Sequence, residues 1–256
     1  MPDQLPEELT RPGSWGGSFF ASLQFLTTVP AIIRRPFTLP ELGRAVAFYP
    51  LIGALLGLVL AGVWLGLGRV FDLLVVAGLT LTAWVLFTGG LHLDGLMDSA
   101  DGVLGGNDLE QRLLIMKDER VGAFGALAGG LALLMKFALL AQSGLGWVAL
   151  PVAALAGRWG MAVVIVAFPP ARPEGLGSMV KAHARPLHAA VASAIAAGLG
   201  FTLAGPPGLL ALVIAGLSAW ALAAFTLRRL PGLTGDIYGA ICEILEIIAL
   251  LVLSLG

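Results

Sequence analysis

Charge is scarce in this chain. Lys, Arg, Asp and Glu make up only 12% of its 256 residues, where a soluble domain carries about 25%. Apolar residues reach 58% and the mean hydropathy is +0.92. A water-soluble protein of this size would lack the polar surface to cover itself, so lipid is the solvent for most of the chain. Net charge is nearly absent too, at −1, which leaves no global field for polyanions and excludes a nucleic-acid partner. A single cysteine, Cys242, excludes a secreted disulfide scaffold; its apolar surroundings predict a buried packing role. Strand-like alternation is missing as well, so a membrane barrel drops out and an all-α helical bundle remains.

The first 17 residues hold Asp3, Glu7 and Glu8 with a glycine-rich patch, and lack the basic start and apolar core of a cleaved secretory signal. They read as a polar tail ahead of one integral-membrane domain over 18–256. Hydropathy predicts about seven spans there, near 48–68, 73–90, 121–141, 147–168, 189–205, 209–227 and 237–255. Phe19 to Ile33, broken by Pro30, is too short to cross and reads as an interfacial or re-entrant helix. Glycines four apart, such as Gly53 and Gly57 or Gly125 and Gly129, predict close helix contacts.

With seven spans the tail and the even-numbered loops share one side. That side holds 12 of the 15 basic residues, Arg112, Lys117, Arg120, Arg172, Lys181 and Arg185 among them. The positive-inside rule makes it the cytoplasmic side. The protein is thus expected in the cytoplasmic (inner) membrane with its chemistry facing the cytoplasm. Whether it is a monomer or a homo-oligomer stays open.

The longest cytoplasmic segment, Leu91 to Arg120, contains Asp94, Asp98 and Asp101. At about 100° per residue these three lie within roughly 60° on a helix. Unneutralised carboxylates so placed repel, and a divalent cation such as Mg²⁺ accounts for them: it takes hard oxygen ligands and adds substrate phosphates to its shell. Asp118, beside Lys117 and Arg120, reads as a further ligand from a neighbouring helix. The bland alternative is that these are solvated loop charges.

A second acidic set, Asp236, Glu243 and Glu246, enters the last span, where ionisable groups are costly and point to function. Arg158, mid-way along the fourth span, is the natural partner for Glu243 or Glu246; a buried ion pair and a catalytic or phosphate-binding role weigh equally there. Lys136 reads as snorkelling from the outer end of its span. His92, His183 and His188 show no metal-ligand spacing, and His92 faces away from Asp94 on a continuous helix.

The run Gly89-Gly90-Leu91-His92-Leu93-Asp94-Gly95-Leu96-Met97-Asp98-Ser99-Ala100-Asp101-Gly102 resembles the signature of the cobalamin synthase (adenosylcobinamide-GDP ribazoletransferase) family. So do Ile115 to Gly125, Phe25 to Pro30 with Phe48 to Gly53, and Thr234-Gly235-Asp236 followed by Gly239, Glu243 and Glu246. These blocks run in order from about residue 20 to the end. The resemblance implies that a ribose hydroxyl of α-ribazole, or of its 5′-phosphate, attacks the phosphate linked to adenosylcobinamide in adenosylcobinamide-GDP. GMP leaves, and adenosylcobalamin or its 5′-phosphate forms, with Mg²⁺ required. On this reading Asp94, Asp98 and Asp101 hold metal with Asp118 as a further ligand. Asp118 and Asp236 both qualify as general base, and Lys117, Arg120, Arg158, Glu243 and Glu246 are candidates for the substrate and phosphate side. The corrinoid is expected over the cytoplasmic Leu91–Arg120 and Phe168–His188 loops.

Two rival readings remain. A CDP-alcohol phosphotransferase of phospholipid synthesis shares the carboxylates and the metal, but its full aspartate spacing and Ala-Arg element are not found. An ion-coupled transporter would use Glu243, Glu246 and Arg158 as a path, and predicts inverted repeats and polar groups at both faces; neither is seen. A purely structural membrane subunit leaves the clustered aspartates unexplained.

Overall fold

The computed structural model describes residues 7–142 and 146–255. Their helices are α1 (Glu7–Thr10), α2 (Trp15–Leu26), α3 (Leu39–Ala45), α4 (Tyr49–Leu67), α5 (Leu73–Thr88), α6 (Leu91–Gly105), α7 (Leu109–Ile115), α8 (Ala123–Leu140), α9 (Ala149–Ala167), α10 (Leu176–His183), α11 (Pro186–Leu227) and α12 (Gly235–Leu253). A 3-10 turn, Val46–Phe48, joins α3 to α4. Among the described residues the only extended pairing is one bridge, Pro170 with Leu233. This is the all-α membrane bundle expected.

Ser14 caps α2 by accepting the amide of Gly17, so residues 15–17 belong to a helix; residues 1–6 lie outside the described residues. The helix expected within Phe19 to Ile33 starts at Trp15 and stops at Leu26, ahead of Pro30. Thr28, just beyond it, donates its amide and hydroxyl to the carbonyl of Phe87 and so caps the end of α5.

Each of the seven expected spans is helical, yet among the described residues only four helical stretches are individually long and apolar enough to cross: Leu39–Leu67, α8, α9 and α11. The difference has three causes. α5 has only 16 residues, and α6, with 15, makes a span with it only as a pair bent by 86°. α12 carries three carboxylates, Asp236, Glu243 and Glu246, in its 19 residues. α11 holds two of the expected spans. Gly205 sits at φ 61°, ψ −144°, and a Cβ on Gly208 would lie 2.1 Å from the carbonyl oxygen of Gly200. Eight residues of continuous helix would separate those backbones by about 12 Å. The chain instead folds back at Gly205, followed by Pro206 and Pro207, into two arms, 186–204 and 206–227.

The 86° bend between α5 and α6 is made by Gly89 and Gly90, both left-handed at φ 63° and 69°, a conformation that costs little only without a Cβ. It turns α6 away from α5 and lays it against α8 and α12. α6 alone is too short and too charged to cross.

α9 is the axis of the bundle, in contact with α4, α11 and α12, and 83% of its apolar window is buried. Its small residues, Ala149, Ala153, Ala154, Ala156, Gly157 and Gly160, let three helices approach on different sides. Gly53 and Gly57 of α4 sit on the backbone of Ala154 and Pro151, and Gly157 on Cys242 of α12. Gly125 and Gly129 of α8 likewise receive Asp101 and Met97 of α6. The glycine spacing thus marks helix contacts, as expected, and Cys242 is fully buried.

Candidate functional site

The site is built where α6 crosses α12. Gly95 lies on the backbone of Asp236: a Cβ there would fall 2.9 Å from the Asp236 carbonyl oxygen. Gly239 lies against His92 in the same way. Aspartates about 140 residues apart in sequence are therefore brought together by two glycine contacts. A third segment joins them. Ala171 donates to the Leu233 carbonyl and Leu233 to the Pro169 carbonyl, both at 2.9 Å, which places Arg172 and Glu174 beside Asp236.

These elements enclose a cavity of about 300 Å³. Asp94, Asp236, Arg172 and Glu174 line it together with His92 and Tyr238, and an apolar part is supplied by Phe25, Tyr49, Met161 and Ile165. Asp98 stands one turn beyond Asp94 on α6. Its carboxyl is pushed up to about 6, chiefly by burial and then by the charges of Asp94, Asp236 and Asp101. The Asp236 carboxyl, in the first turn of α12 ahead of its membrane-spanning part, is raised by burial too, against the Thr234 hydroxyl bond and the Arg172 charge. Asp94, Asp98 and Asp236 thus form one electrostatic unit.

The other expected site residues are placed elsewhere. Asp101 is buried and spans the gap to α8, accepting the amide of Gly122 at 2.7 Å and of Gly125 at 2.9 Å. Asp118 is in an exposed loop, clasped by Arg120 through its amide, Nε and Nη2, and held down to about 2 by those bonds. Lys117 is exposed beside it. Neither Lys117, Asp118 nor Arg120 lines the cavity. Among the described residues no three His, Cys, Asp or Glu side chains converge closely enough to hold a metal by themselves.

Arg158, Glu243 and Glu246 do not line the cavity either. They are buried inside the bundle, where Arg158 pairs with Glu246, and Lys136 bridges Glu246 and Glu243, the latter at 2.6 Å. Lys136 therefore does not snorkel. Its ammonium turns inward over the Trp84 ring, 4.7 Å from the centroid, because two carboxylates of α12 reach the same depth. Of the two readings open for these groups, the structure displays the ion pair. His92 faces this array and not the aspartates, its Nδ1 3.4 Å from an Arg158 nitrogen.

Sequence reasoning missed Tyr49, Tyr238 and the aromatic part of the wall. One signal was there: the chain has only two tyrosines, and both line the cavity. Arg172 stood among several loop cations with nothing to single it out, since its place depends on the Pro170–Leu233 bridge.

The model of the cobalamin-5-phosphate synthase family matches residues 18–254. The chain belongs to that family. Full-length relatives agree with this placement. The adenosylcobinamide-GDP ribazoletransferase of Roseiflexus sp. (strain RS-1) is 39% identical over 249 residues, 96% of this chain and 93% of its own. The proteins of the same name from Desulforamulus reducens and Pseudomonas aeruginosa are 39% and 41% identical, over 92% and 93% of this chain and 95% and 98% of theirs. No solved structure matches the chain. The cobalamin synthase resemblance read from the motifs is thus the family found.

Proposed function

We propose that this chain joins adenosylcobinamide-GDP to α-ribazole, or to α-ribazole 5′-phosphate, giving adenosylcobalamin or its 5′-phosphate and GMP. It acts at the cytoplasmic face of the inner membrane and depends on Mg²⁺. The observation that carries the reading is the cavity in which Asp94, Asp236 and Arg172 meet, with Asp98 one helical turn from Asp94, in a chain of this family.

The donor set suits Mg²⁺, even though no three ligands converge. Mg²⁺ keeps several waters and is held by one or two carboxylates plus substrate phosphates. Asp94 and Asp98 would hold it; the mutual repulsion that raises the Asp98 carboxyl is what a divalent cation relieves. Bound there, the ion supplies charge neutralisation to the pyrophosphate.

The rest falls to the protein's own side chains. Asp236 takes the proton of the attacking ribose hydroxyl: burial makes its carboxylate a better base than Asp118, which Arg120 holds strongly acidic. The hydroxyl oxygen forms its bond to the phosphorus attached to cobinamide. The bond from that phosphorus to the bridging oxygen breaks, and the electron pair leaves with GMP. Arg172 faces the reacting phosphates across from Asp236.

The test is turnover by purified protein with adenosylcobinamide-GDP and α-ribazole, with and without Mg²⁺, for wild type and Asp94→Asn. GMP and a cobalamin product only with metal and the intact aspartate are the expected result. A well-folded wild type that ignores these substrates and turns over a CDP-activated lipid overturns the reading.

A further inference from the structure

Two buried polar atoms of residues lining the cavity have no hydrogen-bond partner among the described residues: Nε2 of His92 and the hydroxyl oxygen of Tyr238. The opposite edge of the imidazole determines what Nε2 offers. A guanidinium has donors and no acceptor, so Arg158 donates towards His92 Nδ1, 3.4 Å away. An imidazole that accepts at Nδ1 carries its proton on Nε2. Arg158 is itself pinned by Glu246, which shares Lys136 with Glu243. Four charged groups inside a membrane protein are costly to keep. Here their arrangement fixes one tautomer and one ring orientation for a residue that lines the cavity.

We propose that His92 recognises the aromatic base of the acceptor nucleoside by donating its Nε2–H to the base's unsubstituted ring nitrogen. Arg158, Glu246, Lys136 and Glu243 are its positioning residues. The inference rests on the reading that the acceptor is α-ribazole, whose benzimidazole base has one nitrogen bonded to ribose and the other free to accept. The cavity supports it in three ways. At about 300 Å³ it is at the small end of ligand sites, roomy enough for a bicyclic nucleoside and too small for a corrinoid. Phe25, Met161 and Ile165 offer the apolar wall that a planar base needs. Asp94 and Asp236 line the same space, where they suit ribose hydroxyls. A site built to hydrogen-bond a substrate atom rejects an analogue that lacks it, because the buried protein group is then left unpaired.

The experiment compares α-ribazole with the matching indole riboside, which has no free ring nitrogen, as acceptors for adenosylcobinamide-GDP. Wild type, His92→Ala and His92→Gln are each assayed, with kcat and KM separated. Wild type is expected to favour the benzimidazole by about tenfold or more, the scale of one buried hydrogen bond. His92→Ala should lose that preference through a higher KM for α-ribazole, with a smaller effect on the indole riboside. His92→Gln retains an N–H donor and should keep part of the preference; it also carries the test if the alanine variant does not fold. Ring-¹⁵N spectra should show the Nε2–H tautomer for His92 in wild type and its loss in Glu246→Gln. Preference unchanged in both His92 variants, or equal losses for both nucleosides, overturns the inference and leaves the proposed reaction standing. A folded wild type that transfers neither nucleoside overturns the proposed reaction and the inference with it.

Discussion

Asp101 of α6 holds the start of α8: one carboxylate oxygen accepts the Gly125 amide at 2.9 Å while the other accepts that of Gly122 at 2.7 Å. Free amides at a helix start favour an acceptor and a negative charge. One aspartate of the acidic motif thus serves the joint between two helices while Asp94, on the same helix, lines the cavity. Asp101→Ala should lower stability by about 1–3 kcal/mol, the cost of leaving buried amides unpaired, read as a lower unfolding midpoint in detergent. Asp101→Asn keeps an acceptor and should recover part of the loss.

Asp118→Asn should behave in the opposite way. Its partner Arg120 is two residues on in an exposed loop, and nothing packed depends on the pair. The unfolding midpoint should stay at the wild-type value, so thermal denaturation alone separates these two aspartates.

Breaking the buried array should be far more costly. Glu246→Ala leaves Arg158 fully buried with its ion-pair partner gone, and a loss of about 3–5 kcal/mol is expected from an uncompensated interior charge. Lys136→Met alone should be similarly damaging. Lys136→Met combined with Glu243→Gln should cost less than the sum of the single changes, because the pair leaves together; a double-mutant cycle measures this.

Acid should loosen the N-terminal region first. The buried Glu41 carboxylate accepts both guanidinium nitrogens of Arg35 and the amides of Thr38 and Ser14. The Arg35 bonds, with the amide bonds, hold it down to about 2 against the opposing effect of burial. A depressed carboxyl adds stability that is fully present above its unfolded value near 4.5 and is lost as pH falls towards 2. The advantage of wild type over Glu41→Gln should shrink steadily across that window in pH-dependent unfolding.

Asp236→Asn tests the base directly. A drop in kcat of about 100-fold or more, with KM for α-ribazole little changed, is expected for loss of a proton acceptor. A larger change in KM than in kcat would reassign Asp236 to binding.

Most of the helices were legible because lipid writes their length into the sequence as apolar runs. The reversal at Gly205 was legible as well, since Gly205, Pro206 and Pro207 interrupt one such run. The depth of Lys136 was not: near the end of its own span it looks able to reach water, and only the placement of α12 shows where it turns. The same holds for Asp101 and Asp94, which share a helical face in sequence. α8 approaches one end of that face and α12 the other, so similar residues receive different partners. Tyr49 and Tyr238 belong to the cavity through contacts between distant segments, which no local pattern encodes.

The array also sets an order of assembly. Arg158 precedes its partner Glu246 by 88 residues, and Lys136 precedes it by 110. As the chain emerges from the ribosome, both cations must enter the membrane well before the helix that neutralises them exists. A nascent chain stalled between Arg158 and Glu243 therefore holds two unmatched charges, and this should mark it for quality control. Translation of the final segment is the event that locks the earlier helices in place.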